Sequence, residues 1–307
     1  MNVREWALPV YTILIQLAAG GLFFLWVVRL INPSDEPQEK IEELSLNPIF
    51  VILLTIAIAM IGSHFHLSKP YFSFLAMLNF RSSWLSREIV FTILFFITVF
   101  LIVFLQTGSS NRFYNLNTIL GVFAIIFSFI TVYCMAKVYL LPTQASWNTN
   151  LTIWSFMGTS LLLGLTGLAL MLILDLKLME IQHLEKFIER ARFIERLLPM
   201  FTITTAVISV VMLITNYLQI FYLDVGGETA KISLQLLVEI YLVLFGFRHI
   251  FILVGVGWLL ISINQLRKRV KTVSDLIVPI YTSSLLILIG EILGRFLFYA
   301  THVRLGL

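Results

Sequence analysis

The sequence predicts an all-α integral membrane protein, an eight-transmembrane-helix bundle with both termini on the outer (periplasmic) side. Three observations lead there. Of 307 residues, 59% are hydrophobic, 14% aromatic and only 12% charged, whereas soluble domains carry about a quarter charged residues. Eight apolar runs match the roughly 20 residues that a helix needs to cross hydrocarbon, and none alternates as a barrel strand does. Lysine and arginine divide unevenly between the two sides that these runs define, twelve against seven. The richer side is the cytoplasmic one by the positive-inside rule.

The first run, 8–30, lacks an A-x-A cleavage pattern, so it reads as a retained helix rather than a signal peptide. A polar, acidic connector, 31–47, leads to the second run, 48–67. Runs 89–106, 117–141 and 152–174 follow. The stretch 175–198 carries five basic and five acidic residues among Leu, Ile and Phe at helical spacing. It is either an amphipathic helix beside the membrane or a solvated extension between spans, on the cytoplasmic side in both cases. Runs 200–222, 234–263 and 276–300 complete a single transmembrane domain, 1–307, with no internal repeat and no low-complexity tract.

Cys134 is the only cysteine. One thiol can neither hold an iron–sulfur cluster nor close an internal disulfide. The remaining chemistry lies in ionisable residues inside or at the ends of spans, where charge is costly and marks a function or a buried pair. Most fall on the predicted outer side: His64, His66 and Lys69 at the end of span 2, Arg87 and Glu88 opening span 3, and Tyr133 and Lys137 closing span 4. Glu291, Arg295, Tyr299 and His302 occupy one face of span 8. Offsets 0, 4, 8 and 11 bring these four onto one stripe, with Glu291 and Arg295 spaced to pair with each other. That stripe is structural glue, a site wall, or both. His64 and His66 are about 200° apart around a helix, so one of them faces the bundle and the other does not. Arg248–His249 in mid-span is a buried structural pair or part of a proton path, and Gly20–Gly21 mark close helix packing.

Five stretches in order resemble one family: REWALPVYTILIQLAAGG (4–21), HLSKP (66–70), LNFRSSWLSREI (78–89), YCMAKVYLLPTQASWNT (133–149) and GEILGRFLFYATHVRLGL (290–307). Together they are similar to the membrane-anchor subunit of dimethyl sulfoxide reductase and its relatives. The resemblance implies an eight-helix anchor without haem or iron–sulfur cluster of its own, in the inner (plasma) membrane, oxidising menaquinol to menaquinone near the outer face. Its implied partners are a ferredoxin-like subunit with four 4Fe–4S clusters, a molybdopterin catalytic subunit and the lipid bilayer, with no nucleic acid. The family's quinol-site histidine, in H-L-x-x-P, matches His66 rather than His64. Its acidic partner in S-x-E-I matches Glu88, and the basic residue before V-Y in span 4 matches Lys137. On this reading His66 and Glu88 are catalytic. Both also bind quinol, together with Tyr133, Lys137, Glu291 and Arg295.

Imidazole titrates near neutrality and suits a quinol hydroxyl, and a carboxylate at the mouth of a span can take the second proton to water. Competing readings are a polysulfide-reductase-type anchor, a secondary transporter and a di-haem cytochrome. A transporter would show paired broken helices in two halves. A di-haem cytochrome needs histidine pairs across helices, which five scattered histidines supply poorly.

Overall fold

Apolar length sets the architecture: eight helices are long and apolar enough to cross a membrane. The computed structural model describes residues 3–31, 37–64, 70–108, 114–182 and 184–303, and among them there is no strand. In sequence order the helices are α1 (Val3–Ile31), α2 (Gln38–His64), α3 (Trp84–Gly108), α4 (Tyr114–Val138), α5 (Asn150–Gln182), α6 (Leu184–Asp224), α7 (Glu228–Gln235), α8 (Leu242–Arg267) and α9 (Ile277–Ala300). All but the short α7 contain a span. A 3-10 helix, Pro70–Asn79, precedes α3, and a π-helical turn, Leu236–Ile240, joins α7 to α8. The protein is a multi-pass membrane protein.

α1 and α5 form the centre of the bundle. The apolar window of α1 is 72% buried and that of α5 61%, against 28–44% for the others. Two glycines permit their contact. A methyl group on Gly20 would meet the Ser160 carbonyl oxygen at 1.8 Å, and one on Gly164 would meet the Gly20 carbonyl carbon at 2.1 Å. Small residues let helix backbones approach in lipid, where packing rather than apolar transfer drives association. The close approach also brings side chains onto the neighbouring backbone. Gln16 Nε2 donates to the Phe156 carbonyl (3.0 Å) and Ser160 Oγ to the Gln16 carbonyl (2.8 Å). Around this axis, α1 also packs on α2 and α4, α3 on α4, and α5 on α6 and α9. α8 packs on α9.

Eight crossings return the polypeptide to the face where it began, so the start of α1, the ends of α2, α4 and α9, and the start of α3 share one face, the terminal face. At the opposite face ion pairs tie the helices together. Arg29 of α1 meets Glu42 of α2 at 2.9 Å, with both side chains buried, and the Arg29 guanidinium lies 4.6 Å from the Tyr114 ring centroid. Arg190 of α6 meets Asp175 of α5 at 2.5 Å, and Lys40 of α2 pairs with Glu189 of α6. The stretch 175–198 is therefore the end of α5 and the start of α6, with Phe193, Ile194, Leu197 and Leu198 buried.

The expected end of run 48–67, beyond His64, lies outside the described residues. One boundary differs from expectation. Run 234–263 is not one straight helix: Tyr241, at φ −106° and ψ 13°, separates the π turn from α8.

Candidate functional site

At the terminal face, Ser83 caps α3: its Oγ accepts from the Ser86 backbone N–H (3.3 Å), satisfying a donor that the first helical turn leaves open. The loop before α3 is pinned to it. Ser86 Oγ donates to the Ala76 carbonyl, and Arg87 donates to the carbonyls of Phe80 (3.0 Å) and Arg81 (2.6 Å). This anchoring places Glu88 one turn inside the helix, 5% exposed. Thr92, one turn on, donates to the Glu88 carbonyl (2.8 Å), and its Oγ1 lies 3.2 Å from the Tyr11 hydroxyl of α1.

Glu88 lines a cavity of about 410 Å³. Leu8, Met60, Leu85, Ile89, Ile93 and Val138 form its apolar wall, and Ala76 and Met77 of the 3-10 segment also line it. The polar lining is Tyr11, Ser63, His64, Glu88, Thr92 and Tyr139. An apolar chamber with a few converging polar groups, and within the range of about 300–1,000 Å³, suits a small flat ligand. A quinone ring fits that description on both counts.

His64 Nδ1 lies 2.8 Å from the Met60 carbonyl oxygen. A carbonyl only accepts, so Nδ1 carries the proton and Nε2 is left to accept from another partner. His66, the histidine selected by the family motif, lies outside the described residues, as do Phe65 and Lys69. His64 is thus the described histidine at the cavity, a place that the helical-wheel argument did not assign to it.

Tyr133 and Lys137 do not line this cavity. They gather on Trp84: the Tyr133 ring stands edge-on at 5.9 Å, Lys137 Nζ lies 5.3 Å from the ring centroid, and the Arg87 guanidinium covers the ring at 4.3 Å. This is a cation–aromatic cluster beside the site.

Glu291 and Arg295 belong to a second, polar cavity of about 100 Å³ between α5, α6, α8 and α9. The expected Glu291–Arg295 pair is not formed there. Glu291 instead faces Arg248 of α8 at 3.7 Å and accepts from Thr159 Oγ1 of α5 at 2.5 Å. Arg295 turns toward α1, where Nη2 donates to Gln16 Oε1 (2.7 Å) and the guanidinium lies over the Phe156 ring at 3.9 Å. Gly294 makes the exchange possible, since a Cβ there would meet Arg248 Nε at 2.5 Å. A spacing of four residues puts two side chains on one face; which partner each finds depends on the helices that cover that face.

Tyr11, Ser63, Thr92 and Tyr139 are polar lining residues that sequence reasoning did not single out, and His64 was named there but set behind His66. Tyr139 stands within a quoted motif, but it falls just beyond the helical end of α4, and only the tertiary fold turns it inward.

The family model described as DMSO reductase anchor subunit (DmsC) matches residues 1–301. The protein is similar to the C subunit of anaerobic dimethyl sulfoxide reductase of Haemophilus influenzae, 29% identical over 187 residues, which are 60% of this sequence and 65% of that one. It is similar over nearly its whole length to two Escherichia coli K12 proteins. The YnfH subunit of anaerobic dimethyl sulfoxide reductase is 26% identical over 307 residues (99% of this sequence, 97% of that one). The C subunit of anaerobic dimethyl sulfoxide reductase is 25% identical over 315 residues (99% and 97%).

Proposed function

The chain belongs to the DMSO reductase anchor-subunit family, and from that premise we propose that it oxidises menaquinol at the cavity that holds Glu88. As an anchor it fixes an oxidoreductase complex to the membrane. In this reading it also takes electrons from the quinol pool of the inner membrane and passes them to a ferredoxin-like iron–sulfur subunit, and thence to a molybdopterin subunit. The terminal face is the outer one.

The observation that carries the reading is the burial of a carboxylate, Glu88, in the wall of an apolar chamber at the membrane boundary. A charge placed there without a function would be costly. A bound quinol supplies two electrons and two protons on oxidation to the quinone. Glu88 accepts one proton and passes it to outer water. Thr92 bonds both the Tyr11 hydroxyl and the Glu88 backbone carbonyl, which holds this end of α3 against α1. His64, through Nε2, accepts a hydrogen bond from a quinol hydroxyl. His66, which the family motif designates, follows two residues later in the sequence. Leu8, Met60, Ile89 and Ile93 keep water from the ring. The loop 70–83 lies above the chamber and faces the partner that receives the electrons.

Filling the chamber tests the assignment. Met60→Trp should raise the KM for a menaquinol analogue about tenfold, the equivalent of about 1.4 kcal/mol, in the assembled complex. Reduction driven by an artificial dye at the soluble subunits should be untouched. An unchanged quinol KM in a complex that carries the tryptophan would remove this cavity as the site.

A further inference from the structure

Tyr139 lines the Glu88 cavity, yet its hydroxyl is bonded away from it, to the Tyr299 hydroxyl of α9 at 2.5 Å. Its ring is gripped on several sides, by Trp147 at 5.3 Å, Phe156 at 5.6 Å and Phe298 at 5.2 Å, mostly edge to face. Trp147 is itself held, since its Nε1 donates to the Phe298 carbonyl at 2.7 Å. The box holds the ring on several sides and the Tyr299 hydroxyl holds its oxygen. Tyr139 is 7% exposed, whereas Tyr299 is half-buried and stands in the last turn of α9, beside the membrane boundary.

From this geometry we infer that the Tyr139–Tyr299 hydroxyl pair is a proton relay that carries one of the two quinol protons out of the Glu88 cavity. The inference rests on the quinol-oxidation reading above. The two hydroxyls of a quinol sit at opposite ends of its ring, so a single carboxylate can serve only one of them at a time. Glu88 takes the first proton. For the second, the Tyr139 oxygen accepts the proton as its own hydroxyl proton passes to the Tyr299 oxygen, and the Tyr299 proton passes to outer water. Both tyrosines end neutral, as they began, and the two electrons go to the iron–sulfur partner. A hydroxyl is both donor and acceptor, so the transfer needs no tyrosinate. The charged groups acting on the pair are Arg295 from α9 and Glu88 from α3.

The test uses Tyr139→Phe, Tyr299→Phe and the double variant in the assembled membrane-bound complex. Phenylalanine keeps the aromatic box and removes only the hydroxyl. Each single variant should lower quinol-linked turnover about 10- to 100-fold, the range in which a positioned proton-transfer group acts. The solvent deuterium isotope effect should rise, and dye-linked activity should stay at the wild-type level. The double variant should lose no more than the worse single one, because the two hydroxyls act as a unit. Tyr299→Phe with unchanged quinol turnover and isotope effect would overturn the relay, since Tyr299 does not line the cavity and has no other route to the quinol. Glu88→Gln, measured alongside, separates the two ideas. If it abolishes quinol-linked turnover while both tyrosine variants are silent, only the relay falls. If Glu88→Gln is silent too, the quinol site itself is wrong.

Discussion

Glu291 and Arg295 lie one turn apart on α9 and do not pair: Glu291 faces Arg248 across the helix interface at 3.7 Å, while Arg295 donates to Gln16 at 2.7 Å. The α9 stripe is thus divided between two helices, α8 and α1, and each charge crosses an interface rather than satisfying its neighbour.

The pairing determines which double change rescues. Glu291→Gln leaves Arg248 without its carboxylate in a buried site, and loss of one partner typically costs about 3–5 kcal/mol. Adding Arg248→Gln should restore most of the subunit's abundance in membranes. Adding Arg295→Gln instead should not. Immunoblots of the three membrane preparations distinguish the outcomes, and rescue by the Arg295 change alone would contradict the observed partners.

The α1–α5 contact makes Gly20 intolerant of a side chain. Gly20→Ala drives a methyl into the Ser160 carbonyl at 1.8 Å, a backbone atom that cannot swing aside. The loss should reach or exceed the usual overpacking range of about 1–3 kcal/mol and appear as a lower melting midpoint of the complex. A methyl on Gly257 would point into open space, with nothing within 4 Å, so Gly257→Ala should leave the midpoint unchanged or raise it slightly.

Eight spans were legible because long apolar runs can form only helices in lipid, and a span's length is written directly in its hydropathy. The Gly20–Gly21 contact was legible for a similar reason, since small residues in an apolar run have few other uses. The break at Tyr241 was not: QLLVEIYLVLF is apolar almost throughout, and hydropathy does not register a π turn. Among site residues, Glu88 stood out as a carboxylate opening a span. The partners of Glu291, Arg295 and Tyr139 could not be read, because each lies on a helix distant in sequence and only packing brings them together.

Sidedness can be read with an impermeant thiol reagent, since the native Cys134 is buried and gives little background. Ser82→Cys, exposed on the terminal face, should react in intact cells. Lys40→Cys, exposed on the opposite face, should react only after permeabilisation. The warrant is the basic excess on the Lys40 side. The reverse pattern would place the Glu88 cavity at the inner surface.

His64 lines the cavity and has Nε2 left to accept, so His64→Ala should lower quinol-linked turnover by at least the effect of one lost hydrogen bond, about fivefold for roughly 1 kcal/mol. His64→Gln, which keeps a hydrogen-bonding group, should lose less. His66→Ala belongs in the same series, because the family motif assigns the quinol to His66. A silent His64→Ala beside an inactive His66→Ala would assign the quinol hydroxyl to His66 alone.

The central claim is that Glu88 takes a proton from quinol within this subunit, and the most direct measurement is turnover of one Glu88→Gln complex with two electron donors. With menaquinol analogue as donor, activity should fall at least about 100-fold, the typical contribution of a positioned base. With a dye that reduces the soluble subunits directly, the same preparation should work at the wild-type rate. Equal activity with both donors, at the wild-type level, would contradict the claim.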